Sequence, residues 1–344
     1  MALTSMRRFG TFTLLILSLF VPRVTAELVW SPSTGWQVEG GALSGLAGVD
    51  SVNALDLMNR ARDAEENGRL RRALGLYKDV HQDHTNSIYA PEALYRSAKI
   101  RLQRKQYYKA FEAYQAIISR YPSYDRFNEV TGEQYRIAAA LLDGARNYIW
   151  GIIPGFKNRD KAIIYFETVV YNAPYSDYAP LALMNVARAH QKQGNDAEAI
   201  DALDRMINNY PQSLLAPDAY IRLAQVHASL VDGPLYDQAS TKEAITYFED
   251  FMILFPNDPG VVPAEEGLDD MKTMLARSKM RLADYYFKYR RNYTAARVLY
   301  NEAITAYPDS AIAEQATAQL EKVEAARAAA EAAGPQRRKF LGIF

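Results

Sequence analysis

Three cations recur at one slot of a repeating pattern: Arg62, Lys99 and Arg188. Each follows an apolar or aromatic residue by one helical turn: Met58, Tyr95 and Met184. A row of guanidinium and ammonium groups beside Met and Tyr suits an extended peptide with apolar side chains and a carboxylate. The same charges also suit a plain solvated helix face, so both readings stand on the sequence alone. A related set, Arg281, Tyr285 and Lys288, lies near the C-terminal end and is expected to meet a partner protein. Trp150 is a further candidate, from an unusually apolar stretch between Tyr148 and Phe156. That stretch reads either as a lengthened core helix or as an exposed patch for a partner protein or a membrane surface.

Catalytic chemistry has no comparable arrangement. His81 and His84 stand three apart, but no further ligand is spaced to complete a metal site. The 344 residues contain no Cys, which removes disulfides, thiolate metal sites and cysteine nucleophiles. G-x-S-x-G, P-loop and Rossmann glycine patterns are missing from the sequence. The expectation is a binding protein with no catalytic, cofactor or metal residues.

The recurring slots imply recurring elements to position them. Residues 178–213 read as one helical hairpin. Leu183, Val186, Ala187 and His190 follow a helical period, Gly194-Asn195-Asp196 turns the chain, and Ala199, Ile200, Leu203, Met206 and Ile207 resume the period. Pro211 stops it. Ala61, Gly68, Ala73 and Tyr77 repeat the slots of Ala187, Gly194, Ala199 and Leu203, and Ala98, Ala110 and Tyr114 repeat them again. One hairpin cannot bury its own apolar face, so its copies must stack. The predicted fold is all-α, a superhelical array of about six tetratricopeptide-like helix-turn-helix repeats over residues 51–325.

The flanks differ. Residues 1–26 read as a signal peptide, with Arg7 and Arg8 before an apolar run and Val24-Thr25-Ala26 as a cleavage site. Residues 27–50 read as a linker arm with five Gly and two Trp, which can dock through Trp30 and Trp36. Residues 326–344 hold the end of an Ala-rich helix and a basic-apolar tail, QRRKFLGIF. The whole chain is neutral, and removing the three Arg of the signal leaves 37 basic against 40 acidic residues. That balance points away from nucleic acid as a partner.

Three stretches together resemble the BamD-type outer-membrane assembly family. They are APEALYRSAKIRLQRKQYYKAFEAYQAIISRYPS, KEAITYFEDFMILFPNDP and LARSKMRLADYYFKYRRNYTAARVLYNEAITAYPDSAIAEQA. In the last, Ala283, Tyr285, Tyr286, Lys288, Tyr293, Ala295, Ala296, Tyr307, Pro308 and Asp309 fall in the family's places. The resemblance covers roughly residues 51–322 and implies a non-enzymatic periplasmic scaffold. Its first repeats would face unfolded outer-membrane β-barrel proteins, and its last would face the β-barrel insertase complex. Family members are held at the outer membrane by a lipidated Cys, which this sequence lacks. The resemblance therefore leaves three alternatives: a soluble periplasmic chain, an uncleaved signal as anchor, or attachment through partners. Peripheral membrane contact through the basic-apolar tail belongs with these. A periplasmic adaptor for cell-wall or cell-division enzymes, or a repeat domain attached to a peptidoglycan-processing enzyme, would use the same fold.

Overall fold

The structure is a computed structural model that describes residues 27–31, 33–39, 49–234 and 238–332. The expected signal peptide and the basic-apolar tail lie outside the described residues. Two compact units divide between Gln103 and Arg104.

In the first unit, strands β1 (Glu27–Ser31) and β2 (Gly35–Glu39) form an antiparallel pair, with Trp30 opposite Trp36. Helices α1 (Val49–Glu66), α2 (Leu70–Asp83) and α3 (Ala90–Gln103) follow. Residues 27–31 and 35–39 of the expected arm form a strand pair that docks through Trp36. Trp36 is 2% exposed and sits in one core with Met58, Ala61, Ala73, Tyr77 and Val80. Burying such a ring is worth about 2–3 kcal/mol, enough to hold a short strand pair on a helix. The Trp36 backbone N–H donates to Asn59 Oδ1 on α1 at 2.9 Å. Gly35 makes that approach possible: its φ is +71°, and a Cβ there would lie 2.7 Å from Asn59 Oδ1.

The second unit holds α4 (Tyr107–Arg120), α5 (Phe127–Leu142), strands β3 (Tyr148–Ile149) and β4 (Ile153–Pro154), and α6 (Arg159–Asn172). It continues through α7 (Tyr178–Gln193), α8 (Asp196–Asn209), α9 (Ala216–Ser229), α10 (Gln238–Leu254), α11 (Val261–Lys288), α12 (Tyr293–Ala306) and α13 (Ala311–Ala332). Within this unit each helix packs on the next in sequence, and α13 lies on α12 and α11. This is the helical repeat array that the sequence predicts.

One small-large pair recurs in the second helix of every repeat. Ala73–Tyr77, Ala110–Tyr114, Ala162–Phe166, Ala199–Leu203, Ala244–Phe248 and Ala296–Tyr300 are all buried. The four-residue step places both side chains on one face, where the Ala admits the neighbouring helix and the large residue fills the space beside it. The turn ahead of that helix also recurs. Gly68 and Gly194 take φ of +70° and +75°, and Lys105 and Arg291 take φ of 55° and 50° at the matching places.

Candidate interaction surfaces

The predicted peptide groove is only partly a surface. Met58 is fully buried and Tyr95 is 3% exposed, so both are core side chains. The helical face predicted from the repeat alignment turns them inward, toward the stripe that also holds Ala54 and Ala61 on α1 and Ala98 on α3. Arg62 is largely committed inside its own unit. It donates to Glu66 at 3.1 Å, pairs with Glu65 at 3.4 Å, and lies over the Trp30 ring at 4.4 Å. Lys99 is half-buried above the Tyr95 ring. In the second unit, Met184 is half-buried and Arg188 is exposed on α7.

Beside Arg62 the first unit holds a buried polar cluster. The Tyr77 hydroxyl donates to Glu65 Oε2 at 2.7 Å, and Arg96 donates to Glu92 at 2.8 Å. Arg96 also lies over the Trp36 ring. Burial, then the Glu65 charge and hydrogen bond, push the Tyr77 hydroxyl far above the ordinary tyrosine range. The arrangement binds hairpin, α1, α2 and α3 together, and its charges face one another.

Arg281, Tyr285 and Lys288 share an exposed face at the C-terminal end of α11. Their three- and four-residue steps put them on one side of the helix. Tyr285 is 47% exposed, and its ring lies 6.0 Å from that of Tyr289 and 5.6 Å from that of Tyr286. Lys288 pairs with Asp284 at 3.1 Å. Exposed Tyr and Arg together are typical of protein-binding patches.

Trp150 lies at neither the groove nor this face. The Ile152 N–H donates to the Ile149 carbonyl at 3.1 Å, with Trp150 at φ 54° and Gly151 at φ 74° between them. Positive φ at both central residues is the type I′ turn that joins tight β-hairpins. The apolar stretch is thus a hairpin between α5 and α6 and not a lengthened helix. Two short β-branched or aromatic runs around Trp-Gly were the available signal. Trp150 is 68% and Phe156 95% exposed.

An open groove of about 1030 Å³ runs along the inter-repeat loops before α7 and α9. Tyr175, Pro180, Leu181, Tyr210 and Leu214 line it, and Tyr210 donates to the Pro174 carbonyl at 2.7 Å. Among the described residues, no cluster of three His, Asp or Glu side chains could hold a metal ion, and no helix is long and apolar enough to cross a membrane.

The YfiO family model, described as an outer membrane lipoprotein, matches residues 156–338, more than half of the chain. The chain belongs to this family. The YfiO match takes in α6 to α13, while a tetratricopeptide repeat model matches residues 92–124. The outer membrane protein assembly factor BamD of Caulobacter vibrioides is 28% identical over 131 residues, 38% of this chain and 43% of that protein. BamD of Xylella fastidiosa strain 9a5c is 26% identical over 171 residues, 46% of this chain and 58% of that protein. BamD of Rickettsia prowazekii is 27% identical over 151 residues, 44% of this chain and 60% of that protein. The chain spans about half the length of these relatives. The β3–β4 hairpin precedes the region matched to the YfiO family.

Proposed function

We propose that this chain is a non-enzymatic scaffold of outer-membrane protein assembly, exported to the periplasm and held at the outer membrane. The observation that carries this reading is the YfiO match over α6 to α13, joined to relatives named as outer membrane protein assembly factors. The surfaces fit it. Exposed aromatic and cationic side chains on rigid helices suit protein binding, and the repeat array supplies several such faces.

In this reading the α11 face, with Arg281, Tyr285 and Lys288, meets a member of the β-barrel insertase complex. Lys99 and Arg188 are the remaining candidates for contact with unfolded outer-membrane polypeptide. Arg62 acts by holding Trp30 and the acids of α1, and Met58 and Tyr95 act from the core. Trp150 belongs to a separate surface.

A pull-down from solubilised envelopes tests the reading. Wild-type chain should recover the β-barrel insertase. Arg281→Glu combined with Tyr285→Ala should reduce recovery by about tenfold, the scale of one lost interface anchor, with an unchanged melting temperature. Recovery of cell-wall synthases or division proteins alone would replace this reading with that of a periplasmic adaptor.

A further inference from the structure

The β3–β4 hairpin and the residues just after it combine two unusual features. Trp150, Ile152 and Phe156 are all more than half exposed, in a segment of a few residues. Single exposed apolar residues are ordinary, but a cluster of this size marks a contact surface. Trp150 also holds a left-handed backbone at the first central position of a type I′ turn, where Asn, Asp or Gly is favoured. A bulky aromatic residue there is both strained and solvent-facing, so neither local conformation nor packing accounts for it.

The hairpin is tied to the start of α4 at its base and at its turn. The Tyr148 N–H donates to the Lys105 carbonyl at 2.9 Å, and the Gly155 N–H donates to the Asn147 carbonyl at 2.8 Å. Asn147 Oδ1 in turn accepts from the Tyr108 N–H at the start of α4 at 3.1 Å. Arg104 Nη2 donates to the Trp150 carbonyl itself, and its side chain lies against Gly151. Held in this way, the hairpin leaves Trp150 and Ile152 exposed.

Cations lie at the turn and along the base of the hairpin. Arg104 touches the turn, Lys105 lies over the Tyr148 ring at 5.3 Å, and Lys157 lies against Gly144. Arg146 and Arg159 are exposed on either flank. Residues 143–161 hold four basic side chains against Asp143 and Asp160, and Asp160 accepts a hydrogen bond from Gln193. Exposed Trp, Ile and Phe with a net basic set of flanking residues match the two-part chemistry of an anionic bilayer surface. Apolar groups enter the acyl boundary, Trp sits at the headgroup level, and the cations meet lipid phosphates.

We propose that the hairpin of residues 145–158 is a membrane-interface contact that takes an anionic phospholipid surface, with Trp150 at its tip. It does not span the bilayer. It would hold the second unit at the membrane independently of which proteins the repeats bind.

The test uses full-length protein, 5-fluorotryptophan labelling and phosphatidylcholine vesicles with or without phosphatidylglycerol. The chain has three Trp, and the Trp150→Asn variant assigns the signal of interest. Spin-labelled vesicles containing phosphatidylglycerol should broaden the Trp150 resonance selectively, and raised salt should reverse the effect. Trp150→Asn should lower vesicle binding by about tenfold, since stable attachment needs the apolar and the basic parts together. That variant should also melt no lower than wild type, because Asn suits the turn. An unbroadened Trp150 signal in vesicle-bound protein would overturn the proposal, as would equal binding of the variant. A signal insensitive to vesicles but shifted by solubilised envelope protein would assign the tip to a protein partner and overturn it equally.

Discussion

Gly194 and Gly75 make opposite demands on the backbone. Gly194 has φ +75° in the turn between α7 and α8, and a Cβ there would meet nothing within 4 Å. Only conformation opposes a side chain, so Gly194→Ala should cost about 1 kcal/mol. Gly75 lies exposed inside α2, again with open space around its Cβ position. Gly75→Ala should stabilise by about 0.5–1 kcal/mol, because Ala is the better helix former. Urea titration of the two variants checks both signs, and two shifts in the same direction would contradict this account of the turns. Arg62 carries a different lesson at this scale. Its type and spacing are visible in the sequence, but its pairing with Glu65 and Glu66 depends on which way the side chain lies.

Among the elements, the β3–β4 hairpin does structural as well as surface work. Asn147 accepts the Tyr108 N–H, one of the backbone donors left open at the start of α4. Asn147→Ala should therefore destabilise the second unit by about 1 kcal/mol, the usual cost of a lost cap. Thermal unfolding measures it, and an unchanged midpoint would show that this cap contributes nothing. The helices themselves were legible because Ala, Gly and Pro recur at fixed steps: Ala187, Gly194, Ala199 and Pro211 are copied in other repeats. The two strand pairs were not. Each is short, and strands of two to five residues carry little periodicity. The docking of Trp36 was foreseen, but not its place, because its burial depends on Asn59 and Met58, more than twenty residues away. Met58 and Tyr95 were placed in the groove for a related reason, since a one-residue rotation of a helix face moves a side chain from solvent to core.

For the whole molecule, tyrosines set the response to alkali. Burial first, and then acidic neighbours, push the hydroxyls of Tyr77, Tyr247 and Tyr300 far above the ordinary tyrosine range. Tyr77 and Tyr300 stand at matching positions of two repeats and each donates to an acid of the preceding helix, Glu65 and Asp284, although the acids lie 12 and 16 residues ahead. The folded chain keeps these protons where the unfolded chain begins to release them, near pH 10. Stability from this source is full below that pH and falls as pH rises through and above it. Tyr77→Phe and Tyr300→Phe should flatten that fall in a pH series of denaturant titrations; an unchanged slope would remove these hydroxyls as its cause.

The proposed role at the outer membrane rests on α6 to α13, the region shared with the YfiO family. Depleting the chain in its native cells and measuring the amount of folded, heat-modifiable outer-membrane β-barrel protein tests that role most directly. A scaffold of barrel assembly requires folded barrels to fall early, before growth slows. Barrel levels that stay constant while cell-wall growth or division fails would contradict it.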